Sequence, residues 1–223
     1  MLYIIPTPIG NLKDITLRAL EVLKEVDAIV CEDTRRTSQL LNHYQIKKPL
    51  FILNDFNEYK NVENFTNRLK NGENLALVSD AGTPLISDPG YKLIRECTLK
   101  NIPIDSLPGA SSIPVALTLS GLPPDKFTFL GFPPDKPGHR QSFYNQIIKL
   151  NEITKQTFIL FIAPFKLIKT LSEMKEVLGD INVTLAKELT KIYQKVESKS
   201  ITNWLEQLKK QPPKGEFVVL LRL

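Results

Sequence analysis

The stretch Ser79-Asp80-Ala81-Gly82-Thr83-Pro84-Leu85-Ile86-Ser87-Asp88-Pro89-Gly90 holds the residues of this chain best suited to chemistry. Ser-Asp-x-Gly occurs twice in it, eight residues apart. Asp80 and Asp88 can accept hydrogen bonds from hydroxyl or amino groups, and Gly82 and Gly90 let backbone come close to a ligand. Asp88 also suits the start of a helix, as a cap with Pro89 at the first helical position. Asp80 stands at the exit of the apolar run Leu75-Ala76-Leu77-Val78 and has no helix of its own to cap. A short buried strand that opens into a small, polar, proline-stiffened loop before a helix is where α/β folds bind ligands.

Four further segments of the same kind precede or follow it. They are Pro6-Thr7-Pro8-Ile9-Gly10-Asn11-Leu12, Glu32-Asp33-Thr34-Arg35-Arg36-Thr37, Asn54-Asp55-Phe56-Asn57-Glu58 and Pro108-Gly109-Ala110-Ser111-Ser112. Each follows a run that reads as a strand, at residues 2–5, 28–31, 50–53 and 102–107. Helical spacing lies between these runs, at 15–26 with Asp14 as cap, at 34–44, at 62–70 and from Tyr91 to Cys97. Strands that alternate with helices imply a mainly parallel sheet, whose carboxyl ends converge on one edge.

Ser120-Gly121-Leu122-Pro123-Pro124-Asp125 punctuates the chain, after a helix that runs from Ser112 through Leu119. The expected organisation is α/β throughout: an N-terminal domain over 1–114 with a mainly parallel sheet, and a C-terminal domain over 115–223 with a mixed one. The second half reads as strands at 127–131, 157–162, 181–186 and 217–223 and helices at 138–150, 164–178 and 201–210. The last strand is apolar almost throughout and so central. Lys187, Lys191, Lys195 and Lys199 recur every four residues, a helical spacing, yet the intervening Thr190, Ile192, Tyr193 and Val196 are β-prone. A strand over 190–197 is the expectation, with the lysines a solvated stripe or phosphate contacts. Leu20, Leu23, Val115 and Leu119 read as core.

Composition narrows the chemistry. The 223 residues are 42% hydrophobic and 24% charged, ordinary for a globular protein. No apolar run approaches the roughly 20 residues that span a bilayer, and the N-terminus enters a strand with no basic leader. A cytoplasmic protein with no membrane partner is the expectation. Cys31 and Cys97 are far apart, His43 and His139 are isolated, and no metal site is expected. No two of the ten glycines form a Gly-x-Gly pair, which removes the dinucleotide fingerprint and the phosphate loop. No serine or cysteine sits in a nucleophile elbow. The net charge of +5 permits a polyanionic partner. What remains is a site that holds a ligand and positions two reactants without a covalent nucleophile.

The loops resemble the tetrapyrrole methylase superfamily, the class III S-adenosylmethionine methyltransferases. The resemblance is carried by Tyr3-Ile4-Ile5-Pro6-Thr7-Pro8-Ile9-Gly10-Asn11-Leu12, Cys31-Glu32-Asp33-Thr34-Arg35, the segment from Leu77 to Gly90, Leu107-Pro108-Gly109-Ala110-Ser111 and Ser120-Gly121-Leu122-Pro123. Phe129-Leu130-Gly131-Phe132, Glu188-Leu189-Thr190-Lys191 and Lys214-Gly215-Glu216-Phe217 continue it in order. It implies two α/β domains with S-adenosylmethionine in the cleft between them, and a homodimer. It also implies the branch that 2′-O-methylates a cytidine of 16S ribosomal RNA in the small subunit. By motif, Ile9, Asp80, Gly82, Thr83, Ile86, Ser111 and Ser112 face the cofactor, joined from the second domain by Ala163 and Glu188.

Asn11, Arg35, Arg36, Asn57 and Glu58 are the candidate substrate contacts, the arginines because a guanidinium fork matches phosphate oxygens. Asp33 and Asp88 are the candidate general bases. Asp33 is preferred because it has no obvious second task, although capping the helix at Thr34 is an alternative use. Two segments depart from the family pattern. Phe161-Ile162-Ala163-Pro164-Phe165-Lys166 stands where an acid and an imidazole are usual, and Tyr193-Gln194 where a His-Glu-like pair is usual. The alternatives are a methylase of a small tetrapyrrole and a module that binds S-adenosylmethionine and RNA without catalysis.

Overall fold

The computed structural model describes residues 1–54 and 58–223. The chain divides into two compact units, Met1–Ser111 and Ser112–Leu223.

In the first unit, β1 (Leu2–Ile4), β2 (Ala28–Cys31), β3 (Leu50–Ile52), β4 (Leu75–Leu77) and β5 (Ile104–Ser106) form one sheet in the order β3-β2-β4-β1-β5. Every pairing in it is parallel. The central strands are apolar on both faces, because period-two alternation sends successive residues to opposite cores. Ile29, Cys31, Ala76 and Val78 pack on one side with α1 (Leu17–Glu25) and Leu41 of α2 (Thr34–His43). Ala28, Val30, Leu75 and Leu77 pack on the other with Phe65 and Leu69 of α3 (Glu58–Lys70) and Leu93 and Cys97 of α4 (Tyr91–Leu99).

The strand order explains this sidedness. From β1 to β2 to β3 the chain moves one way across the sheet, and from β3 to β4 to β5 it moves back. Right-handed crossovers therefore put α1 and α2 on one face and α3 and α4 on the other. β1 and β4 are neighbours whose connections leave in opposite directions. That is a topological switch point, where the loops diverge and leave a crevice at the carboxyl edge.

Several local expectations are corrected. α1 starts at Leu17 and is capped by Thr16, whose side chain accepts from Ala19 N–H; Asp14 lies in a separate 3₁₀ turn, Leu12–Asp14. α3 starts at Glu58, four residues earlier than the apolar spacing implied, because its first turn is polar. α4 begins at Tyr91 with Gly90 at its cap position, so Asp88 does not cap it.

In the second unit, β6 (Phe127–Phe129), β7 (Thr157–Ile162), β8 (Asn182–Lys187), β9 (Lys195–Ser200) and β10 (Phe217–Leu221) form a mixed sheet in the order β6-β7-β10-β8-β9. Only β6 and β7 pair in parallel. β10 is central and wholly buried. α5 (Ser112–Leu119) packs against β10, and Leu119 is exposed rather than core. Tyr144 and Ile147 of α6 (Pro137–Ile153), Leu167, Leu171 and Met174 of α7 (Pro164–Leu178), and Trp204 and Leu208 of α8 (Ile201–Lys210) complete the core. β9 starts at Lys195, so the expected strand over 190–197 is mostly turn. Its Lys-Val-Glu-Ser-Lys-Ser sequence sets charges along an outer strand, which discourages edge-to-edge pairing.

Candidate functional site

In the first unit the 79–90 loop is stapled to its neighbours by backbone and hydroxyl groups. Thr7 and Gly82 exchange both backbone hydrogen bonds at 2.9 Å, tying the tip of β1 to that of β4. Thr7 Oγ1 donates to the Ser79 carbonyl (3.0 Å) and Ser79 Oγ to the Gly82 carbonyl (3.1 Å). Thr83 Oγ1 donates to the Ala110 carbonyl beyond β5 (3.0 Å). The glycines are required by this closeness. A Cβ on Gly82, at φ +87°, would lie 3.3 Å from Ile9 Cγ2, and one on Gly109 would lie 2.8 Å from Pro6 Cβ. Leu85 and Ser87 also hold positive φ, at 74° and 69°, conformations that cost energy in non-glycine residues and cluster where a loop is over-determined for a task.

The tip of β2 supplies charge. Asp33 accepts from Arg35 N–H (2.8 Å) as the cap of α2, and from the Arg35 guanidinium at 3.0 and 2.6 Å. Hydrogen bonds from Arg35 hold the Asp33 carboxyl down at about 2. Asp33 N–H donates to Asp80 Oδ1 (3.1 Å), and Arg36 lies 3.4 Å from Asp80. Burial pushes the Asp80 carboxyl up more than Arg36 and the Asp33 amide pull it down. A half-buried carboxylate with an oxygen left to accept is suited to a hydroxyl partner. The loop also leaves Ile86 exposed as an apolar surface.

The structure thus brings Asp33, Arg35, Arg36 and Asp80 together, and sets Ile9 against Gly82 with Thr83 tied to Ala110. Asp33 does have a second task, since it caps α2. Asn11 is exposed and accepts from Lys13 N–H to start the 3₁₀ turn. Asp88 is half-buried in the loop. Glu58 is turned inward, 4% exposed, and accepts from Lys92 and Leu93 N–H at the start of α4 (2.7 and 3.4 Å); that orientation does not suit it to substrate contact. Asn57 lies outside the described residues. Ser111 ends the first unit and Ser112 opens α5 in the second.

Within the second unit, Ala163 precedes α7 at the end of β7, and Glu188 follows β8. These two strands both run antiparallel to β10, so their carboxyl ends share one edge. Glu188, at φ 48°, accepts from Glu216 N–H (2.9 Å) and pairs with Lys191, which also meets Glu216. Burial pushes its carboxyl up, but the Glu216 amide and Lys191 outweigh that and the net shift is downward. Gln194 Oε1 accepts from Thr190 N–H. Thr7, Ser79, Lys191 and Glu216 join these networks although they are not among the candidate site residues; all four lie in segments that resemble the family motifs.

A family model described as Tetrapyrrole (Corrin/Porphyrin) Methylases matches residues 1–203. The chain belongs to the tetrapyrrole methylase family. Family membership makes this chain a methyltransferase by descent and implies a methyl donor. This methylase is 42% identical over 220 residues to a Thermotoga maritima protein named ribosomal RNA small subunit methyltransferase I, covering 99% of this chain and 97% of that one. It is 46% identical to a protein of the same name from Mycoplasmopsis pulmonis, covering 98% and 96%. A Rickettsia prowazekii relative, also so named, is 45% identical, and the match covers 99% of this chain and 77% of that one. Among solved structures, a diphthine synthase shares the fold with a TM-score of 0.76 at 18% identity, over 99% of this chain and 89% of the other. Among the described residues, no group of three or more His, Cys, Asp or Glu could hold a metal ion, and no helix is long and apolar enough to cross a membrane.

Proposed function

We propose that this methylase transfers a methyl group from S-adenosylmethionine to a ribose 2′-hydroxyl of 16S ribosomal RNA in the small ribosomal subunit, as a homodimer. The observation that carries this reading is the near-full-length identity of 42–46% to relatives named ribosomal RNA small subunit methyltransferase I. The residues at the β1–β4 switch point fit the donor. Ile86 offers exposed apolar surface, Ile9 is packed against Gly82, the Asp80 carboxylate is half-buried beside Arg36, and Thr83 is tied to the segment that carries Ser111. Ser112, Ala163 and Glu188 are the donor contacts proposed from the second unit. S-adenosylmethionine supplies an electrophilic methyl on a sulfonium.

Asp33 accepts the hydroxyl proton. As the new C–O bond forms and the C–S bond breaks, the ribose oxygen becomes far more acidic than a carboxylic acid. A base held near 2 can therefore take the proton late in the step. Arg35 and Arg36 hold flanking phosphates, and the rest of the rate comes from orientation. Asn11 and Asp88 are the further proposed contacts on the acceptor side. The test is methylation with labelled donor on small subunits from a strain that lacks the modification, with the nucleotide mapped. A mapped 2′-O-methyl in 16S RNA is the expected result; label found only on a tetrapyrrole, or on nothing, removes the reading.

A further inference from the structure

Glu58 is a charged side chain that the interior would reject unless it were put to use. It is 4% exposed and lies 34 residues before Lys92, whose amide it serves. Its Oε1 accepts from Lys92 N–H at 2.7 Å and Leu93 N–H at 3.4 Å. α4 needs that service, because Gly90 at its cap position makes no side-chain hydrogen bond. The first amides of a helix have no partner inside it, and the helix dipole adds positive potential there. A carboxylate borrowed from α3 answers both.

The anchored end is the end that matters. The residues just before α4 are the strained part of the 79–90 loop, with Leu85 at φ 74°, Ser87 at φ 69° and Gly90 at φ 123°. The other end of that loop is fixed by the staples among Thr7, Ser79, Gly82, Thr83 and Ala110. Non-glycine residues stay at positive φ only when both flanks are held. A Cβ on Gly90 would lie 2.8 Å from Leu77 Cδ2, so this flank presses directly on the end of β4. We propose that Glu58 is a positioning residue for methyl transfer: it pins the N-terminus of α4 and thereby holds the 79–90 loop in its strained, donor-binding form. This inference rests on the reading that the loop faces the methyl donor.

The test compares Glu58→Ala, Glu58→Gln and Glu58→Asp in the full chain. Gln keeps an acceptor at the same reach, Ala removes it, and Asp shortens it. Thr16→Ala, which removes the cap of α1 elsewhere in the same unit, is the control for general destabilisation. In the absence of ligand, amides from Thr83 to Leu93 should exchange faster in Glu58→Ala, with affinity for S-adenosylmethionine about tenfold weaker and kcat lowered. Glu58→Gln should restore both to within about twofold of the wild type, since the acceptor is regained. If Glu58→Ala does not fold, Glu58→Asp carries the same comparison in the same direction. Unchanged loop exchange, or a loss of donor affinity no greater than in Thr16→Ala at equal melting temperature, overturns the proposal and leaves Glu58 a stabilising cap alone. Wild-type protein supplies the separate check. If S-adenosylmethionine gives no exchange protection to the 79–90 loop, the donor reading fails. If it protects the loop while Glu58→Ala binds normally, only the role of Glu58 fails.

Discussion

Asp33 shows how one residue's neighbours decide what it can do. Its carboxylate caps α2 and is forked by Arg35, which fixes its direction and holds it near 2. Asp33→Asn should lower kcat by about a hundredfold, the low end of general-base effects, with affinity for S-adenosylmethionine nearly unchanged; full turnover in the variant removes Asp33 as the base. The same shift has a stability consequence. The folded value lies below the ordinary 3.8, so the stabilisation is complete above about pH 4 and is lost as the pH falls toward 2. Denaturant melts of wild type and Asp33→Asn across that window should converge at the acid end. Constant separation down to pH 2 would mean that the Arg35 pairing does not set the shift.

At the level of elements, the 79–90 loop is the piece whose shape is forced by what surrounds it. Gly90→Ala meets Leu77 at 2.8 Å and places a side chain at φ +123°. Overpacking and the strained φ together should cost about 2 kcal/mol, read as a lower denaturation midpoint with an unchanged m-value. Gly72→Ala makes a useful contrast: its φ is +95° but nothing lies within 4 Å of the new Cβ, so only the backbone cost of about 1 kcal/mol remains. Equal losses at the two sites would show that contact with Leu77 is not what constrains the loop. The alternation of Ala28, Ile29, Val30 and Cys31 between two cores was legible in the sequence because a strand buried on both faces reads as an unbroken apolar run. The start of α3 was not, since its first turn is polar and its one buried carboxylate looks like any exposed glutamate until α4 is placed beside it.

For the whole molecule, the proposed RNA partner makes an electrostatic prediction. Arg35 and Arg36 carry exposed guanidinium groups at the carboxyl edge of the first sheet. If both meet phosphates, the double alanine variant should weaken RNA binding and flatten the plot of log affinity against log salt by about 1 to 2 units. An unaltered slope would assign the two arginines to their ion pairs with Asp33 and Asp80 alone. A homodimer is checked by light scattering at the concentrations used for turnover; a monomer with full activity removes the dimer from the proposal. In the lysine series the β-prone residues between the lysines were a better guide than the spacing. Lys187 and Lys195 lie on strands, Lys191 in the turn between them, and Lys199 beside Trp204 and Glu197. Their four-residue recurrence is not a helix face.

The sequence by itself determined the alternation of strands and helices, the five polar strand ends and the family to which they point. These depend on local periodicity and on residue types that only tight turns accept. The tertiary structure decided which of those ends touch. Sheet order made β1 and β4 neighbours and so joined Thr7 to Gly82. Packing across 47 residues brought Asp80 to the amide of Asp33, and packing across 34 gave Glu58 to α4. A carboxylate's partners come from distant segments, so its role as cap, base or anchor is set only when the sheet and its covering helices close around it.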